Sequence, residues 1–108
     1  MERNTVQLIG YVGKDPRIVM SNNGSKLAVL RVATHRYSKK DSADKKIITT
    51  WHQVIAWDEV ASFAERSFVT GSHILVNGEL IYNDFKDSTG RACRYARVRA
   101  KSLLNLDR

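Results

Sequence analysis

The sequence predicts an all-β domain: a closed five-stranded barrel with one helix between the third and fourth strands. Three observations predict it. Apolar and polar residues alternate in five separate runs, which is the side-chain period of a strand. One stretch alone, Asp58 to about Phe68, switches to helical spacing. Turn signals separate the runs, at Gly13-Lys14-Asp15-Pro16, Ser21-Asn22-Asn23-Gly24 and Asp87-Ser88-Thr89-Gly90. At 108 residues the chain makes one domain, 1–108, large enough to bury roughly two-thirds of its unfolded surface.

The first strand runs from Asn4 to Gly13. Val6, Leu8, Gly10 and Val12 share one face, and Thr5, Gln7, Ile9 and Tyr11 the other. The second runs from Lys26 to Tyr37, with Leu27, Val29 and Ala33 opposite Leu30 and Val32. Ser38 to Lys46 reads as a loop rich in lysine. The third strand, Ile47 to about Trp57, carries two tryptophans with β-branched residues between them. In the helix, Val60, Phe63, Ala64 and Phe68 mark the apolar stripe. Asp58 is placed to cap its start, and Gly71 to end the turn beyond it. The fourth strand spans about His73 to Phe85, and the fifth Arg91 to about Ser102. Strands of this length solve their edge problem by closing on themselves. Five strands with a helix after the third is the chain order of an oligonucleotide/oligosaccharide-binding (OB) barrel. An SH3-like barrel also has five strands but no full helix at that point.

Charge narrows the partners. Eighteen Lys and Arg against eleven Asp and Glu give a net +7, which suits a polyanion. No apolar run approaches the roughly 20 residues that cross a bilayer, and no secretory leader precedes the first strand. The one cysteine, Cys93, fits a reducing compartment and rules out a cysteine-rich zinc site. The three histidines, His35, His52 and His73, are far apart, so no metal is expected. Nucleophile–base spacing, a phosphate-cradling glycine motif and clustered carboxylates are all missing, so neither catalysis nor a cofactor is expected.

The candidate binding residues are aromatic and basic. Trp51 and Trp57 share a strand face with Gln53 and Ile55, while Thr50, His52, Val54 and Ala56 offer a smaller lining for a barrel interior. The indoles then point outward, either as a stacking platform for unpaired bases or as a packing seam under a loop or another subunit. Tyr37 and Phe85 stand at strand–loop junctions and either contact a ligand or plug the barrel ends. Lys39, Lys40, Lys45 and Lys46 sit beside Tyr37, where they can neutralise phosphates. Arg91, Arg97, Arg99 and Lys101 occupy odd positions of the last strand, opposite Ala92, Ala96, Val98 and Ala100. That basic ladder either follows a nucleic-acid backbone or is a solvated face paired with Glu79 and Glu65.

An ordered set of motifs resembles one family. Asn4-Thr5-Val6-Gln7-Leu8-Ile9-Gly10-Tyr11-Val12-Gly13-Lys14-Asp15-Pro16, then Asn23-Gly24, Leu30-Arg31-Val32-Ala33-Thr34, Thr50-Trp51-His52 and Gly71-Ser72-His73-Ile74-Leu75-Val76-Asn77-Gly78 are similar, in this order, to the bacterial-type single-stranded DNA-binding proteins. The resemblance spans essentially the whole sequence. It implies an OB barrel that binds single-stranded DNA without base-specific readout, enzymatic activity or cofactor, in replication, recombination and repair. It implies stacking on Tyr37, Trp51, Trp57 and Phe85; by charge and position, Lys39, Lys40, Lys45, Lys46 and some of Arg97, Arg99 and Lys101 are expected to neutralise phosphates. It further implies a homotetramer, a dimer being the state of the rival reading below; a cytoplasmic, nucleoid-associated location is expected from the sequence itself. Three places depart from the family pattern: Gln53 stands where a basic residue is usual, Asp58-Glu59 where glycine and a basic residue are common, and Leu80-Ile81-Tyr82-Asn83-Asp84 has no basic residue before Phe85. Members commonly continue into a tail with an acidic tip that recruits replication and repair proteins. This sequence stops at Asp107-Arg108, so the resemblance does not carry those partners over. A rival reading is a tail-less primosomal accessory module that acts mainly through protein partners.

Overall fold

The computed structural model describes residues 1–38 and 46–107. Seven elements follow in order: β1 (Val6–Val12), β2 (Arg17–Met20), β3 (Lys26–Tyr37), β4 (Ile47–Trp57), α1 (Asp58–Ser67), β5 (His73–Lys86) and β6 (Ala92–Asn105). The strands order as β1-β5-β6-β4-β3-β2, and β1 also pairs with β3. That extra pairing, Tyr11 with Ala33 and Val12 with Val32, closes five strands into a barrel. The expected all-β OB architecture is therefore present, with the helix where the spacing put it. The contact between β4 and β6 is parallel and short, Val54 with Val98 and Ile55 with Arg99.

Glycine makes the closure possible. Gly10 pairs with Ile74 of β5 just before β1 swings across to β3. A Cβ on Gly10 would run into the Ala33 carbonyl, so only glycine lets the two backbones approach this closely.

The interior is the set of faces that point inward. Val12, Ala28, Leu30, Val32, Val54, Ala56, Ile74, Val76, Val98, Ala100 and Leu103 are buried, and Ala61, Ala64 and Phe68 close the barrel from the helix side. Each large apolar side chain taken from water contributes about 1.5–3 kcal/mol. Val60 and Phe63 pack half-buried against this core, and the Phe63 and Phe68 rings meet edge to face. The helix acids Asp58 and Glu59 lie in its first turn and Arg66 in its last, matching the helix dipole.

Several expectations are corrected. Asp58 does not cap α1: Trp57 holds the N-cap position in an extended conformation and no side chain caps the helix. Asp58 sits one residue further in, with φ 51°, and its carboxylate accepts from the Lys26 backbone N–H at 3.3 Å. A short strand, β2, fills the stretch between the two turns and pairs with β3 from Arg17–Val29 to Met20–Lys26. The last strand starts at Ala92 and runs on to Asn105, past Ser102. Its register shifts, with Asn77 facing Ser102 and Gly78 facing Ala100, so Lys101 is the extra residue of a bulge. Parity flips there, which is why Leu103 points inward. Ala92 and Ala96, expected on the apolar face, are exposed because they lie on the arm beyond the barrel, and Thr50 is exposed for the same reason. Glu65 pairs with Lys26 at 2.6 Å rather than with the arginine ladder.

Candidate nucleic-acid interface

Register decides which side chains share a surface. Residues paired across neighbouring strands project to the same face of a sheet. Arg31 pairs with Gln53, Ala33 with Trp51, Leu27 with Trp57 and Tyr37 with Ile47. Ile55 pairs with Arg99 across to β6, and Arg99 with Glu79 across to β5. Trp51, Trp57 and Tyr37 therefore lie on one outer face, and that face continues through Arg97 and Arg99 to Phe85. The sheet brings the four expected aromatics onto one surface. Trp51 and Trp57 are separated by roughly 20 Å along β4, six residues at about 3.3 Å each.

The aromatics differ in setting. Tyr37 is 66% exposed, Trp51 50% and Phe85 48%, whereas Trp57 is half-buried opposite Leu27. Trp51 is held from two sides. Its indole rests against Gly13, where an added Cβ would stand 2.8 Å from Cη2, and the Arg31 guanidinium lies 4.9 Å from the ring centre. Gly13 itself is fixed by donating its backbone N–H to the Arg31 carbonyl at 2.8 Å. Phe85 meets Tyr95 edge to face at 5.2 Å, and the Arg97 guanidinium covers the Tyr95 ring at 5.1 Å. Tyr95 is thus a further aromatic on this surface that strand-end reasoning passed over, because it lies within β6 rather than at its end.

The cations separate into groups. Arg97 donates to the Tyr95 hydroxyl at 2.8 Å, and its Nε is buried without an acceptor among the described residues. Together with Trp51, Gln53, Leu80 and Ala96 it lines a cleft of about 160 Å³. Arg99 stands 4.0 Å from Glu79, so part of its charge is answered within the sheet. Lys101, on the bulge, lines a separate groove against α1 with Glu59, Val60 and Phe63. Lys46 is exposed beside Ile47 at the start of β4, and Arg91 is exposed at the turn before β6. Lys39, Lys40 and Lys45 fall outside the described residues. Across Gln53 from the Arg97 cleft lies a second one, of about 260 Å³, that contains Lys14, Arg17 and Arg31. No signal in the sequence set these three apart: an arginine in a strand and two cations at a turn read as ordinary solvated charges.

His52 is half-buried, its Nε2 hydrogen-bonded with the Thr34 hydroxyl at 2.9 Å, which suits a structural residue. Among the described residues no His, Cys, Asp and Glu side chains group in a way that holds a metal ion, and no helix is long and apolar enough to cross a membrane. The surface is open and lined by flat rings and positive charge, so what it offers chemically is stacking and charge neutralisation.

The description "Single-strand binding protein family" belongs to a family model that matches residues 3–106. Single-stranded DNA-binding proteins of Rickettsia typhi (strain ATCC VR-144 / Wilmington) and Rickettsia prowazekii (strain Madrid E) are each 33% identical over 90 residues, or 82% of this chain. The aligned part is 59% of each relative, so the chain spans about three-fifths of their length. A solved structure, "Plasmodium falciparum SSB complex with ssDNA", superposes with a TM-score of 0.88 at 23% identity, covering 99% of this chain and 97% of that one. That likeness shows the fold. With a family match across nearly every residue, the chain belongs to the single-strand binding protein family.

Proposed function

We propose that this chain binds single-stranded DNA without sequence preference and shields it during replication, recombination and repair. One observation carries the reading: a single outer sheet face holds exposed rings with unpaired or ring-stacked guanidinium groups on both sides of Trp51. Tyr37, Trp51, Trp57 and Phe85 stack bases, and each stacked base contributes about 1–3 kcal/mol whatever its identity. Lys46, Arg97, Arg99 and Lys101 answer phosphates, joined by Lys39, Lys40 and Lys45, which follow Tyr37 in the sequence. Arg97 and Arg99 carry this role best, since Lys101 stands apart against α1 and next to Glu59. The action is passive: binding competes with reannealing of the complementary strand and no bond is made. Such a protein works where unpaired DNA lies, in the cytoplasm with the nucleoid.

Association of copies is part of the reading. On the outer face of β1, β5 and β6, Ile9 pairs with Leu75 and Leu75 with Leu104, and Ile9 and Leu104 are 53% and 54% exposed. An apolar row of this kind supports burial against another copy, with a homotetramer as the expected state. Light scattering of the chain and of Leu104→Asp tests it: the variant is expected to drop to a smaller species, and a monomeric parent chain would remove the tetramer.

The binding claim is tested by anisotropy of labelled oligo(dT) against a labelled duplex of the same length. Strong binding of the single strand, weakening steeply with salt, is expected. Equal affinity for the duplex would overturn the reading.

A further inference from the structure

The cleft on the β2–β3 side of Trp51 brings together three cations that are far apart in sequence. Pairing of Arg17 with Val29, and of Arg31 with Gln53, places both arginines on the outer face that carries Trp51. Lys14 reaches the same cleft from the β1–β2 turn, and Asp15, Val29 and Gln53 complete its lining.

Its charge is not balanced by ion pairs among the described residues. Among the described residues, the ion pairs are Lys26–Glu65, Arg94–Asp84 and Arg99–Glu79, and none involves Lys14, Arg17 or Arg31. The one acid in the lining is already engaged. Asp15 accepts from the Thr70 backbone N–H at 2.7 Å and from the Thr70 hydroxyl at 2.9 Å, and the first of these bonds does most to hold its carboxyl below the ordinary range. With three cations and one anion, the cleft stays net positive at neutral pH. Arg31 is also held in place: its guanidinium lies over the Trp51 ring, which leaves the edge N–H groups free to form a bidentate bond with a phosphate. Gln53 lines this cleft and the Arg97 cleft alike, so the two meet at Gln53.

We propose that Lys14, Arg17 and Arg31 form a phosphate-binding cleft for the backbone of the strand whose base stacks on Trp51, on the side opposite Arg97. The inference rests on the single-stranded-DNA reading above. Gln53, uncharged at the centre of the track, then has a cation on either side of it.

The test is the salt dependence of oligo(dT) binding to the whole chain. In Lys14→Gln/Arg17→Gln/Arg31→Gln the slope of log K against log salt is expected to shrink by about 1.4–2.1, two or three phosphates at about 0.7 each. The charge-preserving Lys14→Arg/Arg17→Lys/Arg31→Lys variant keeps the slope, and so does Arg66→Gln, a charge removed from α1. If circular dichroism shows the triple variant unfolded, the Lys14→Gln/Arg17→Gln pair is read in its place, with an expected decrease of about 0.7–1.4. An unchanged slope in the folded neutral variant overturns the cleft while single-stranded-DNA binding stands. An unaltered chain that fails to bind oligo(dT) overturns both.

Discussion

Gly13→Ala separates the position of the Trp51 ring from its presence. The substitution is allowed by the backbone, since Gly13 is not among the positive-φ glycines, which are Gly24, Gly71 and Gly90. The new methyl would overlap Trp51 Cζ3 and stand 2.8 Å from Cη2, against an ordinary carbon–carbon contact of about 3.5–4.0 Å. The indole must therefore retreat by about 1–1.5 Å. Trp51 is half exposed, so the ring yields and the barrel stays closed. The folding cost is limited to the weakened Arg31–Trp51 contact, about 0.5–1 kcal/mol for an exposed cation–π pair. Binding suffers more, because a displaced ring loses much of a stack worth about 1–3 kcal/mol. A Kd for oligo(dT) raised about 5- to 20-fold follows, at about 1.4 kcal/mol per tenfold. The assay pairs an anisotropy titration with thermal denaturation in a Trp57→Phe background, where Trp51 alone reports by its emission. Unchanged affinity with unchanged Trp51 emission would refute the reasoning. A collapse of thermal stability would refute it too, by showing that the backbone, not the ring, absorbs the methyl.

Other substitutions probe the frame around the surface. Gly10→Ala drives a methyl into the Ala33 carbonyl at the point of barrel closure, so a loss of about 1–3 kcal/mol is expected in chemical denaturation; a neutral result would mean β1 closes on β3 with room to spare. Asp15→Ala removes both bonds to Thr70. The Asp15 carboxyl titrates lower when folded, so its contribution is present above its ordinary value of 3.8 and fades as pH falls through the lower folded value. The variant is expected to melt below the parent at neutral pH and to converge with it in acid, and a constant gap across pH would contradict this. Trp57→Ala is expected to lower stability more than Trp51→Ala, being half-buried opposite Leu27, yet to weaken binding less, with Asp58 and Glu59 beside it. Equal binding losses from the two would contradict that ranking.

Much of this was legible from alternation alone. Val6, Leu8, Gly10 and Val12 read correctly as one face of β1, the face that turns inward, and Val54 and Ala56 as a lining for the barrel interior, because a strand with one buried side must repeat every second residue. The helical spacing of Val60, Phe63, Ala64 and Phe68 was equally plain. What escaped depends on pairing. β2 is four residues between two turns, and only the neighbouring β3 makes it a strand. The bulge at Lys101 inverts parity for Leu103, and no local residue announces it. Asp58 looked like a cap because its carboxylate and position fit one, but the extended turn at Trp57 came first. Among the site residues, the tryptophans and Phe85 were visible as flat rings on strands. Arg31 was not, since its closeness to Trp51 exists only through the β3–β4 register. Lys14 joins it from the β1–β2 turn and Arg17 through the β2–β3 register, neither of which sequence spacing reveals.

The central claim is that the outer sheet face stacks unpaired bases on Trp51. Trp51 emission in Trp57→Phe, titrated with oligo(dT) at low salt, tests it most directly. Saturable quenching that reverses as salt is raised is the expected result. Emission that stays constant while anisotropy shows the oligonucleotide bound would contradict it, and would place the strand elsewhere on the barrel.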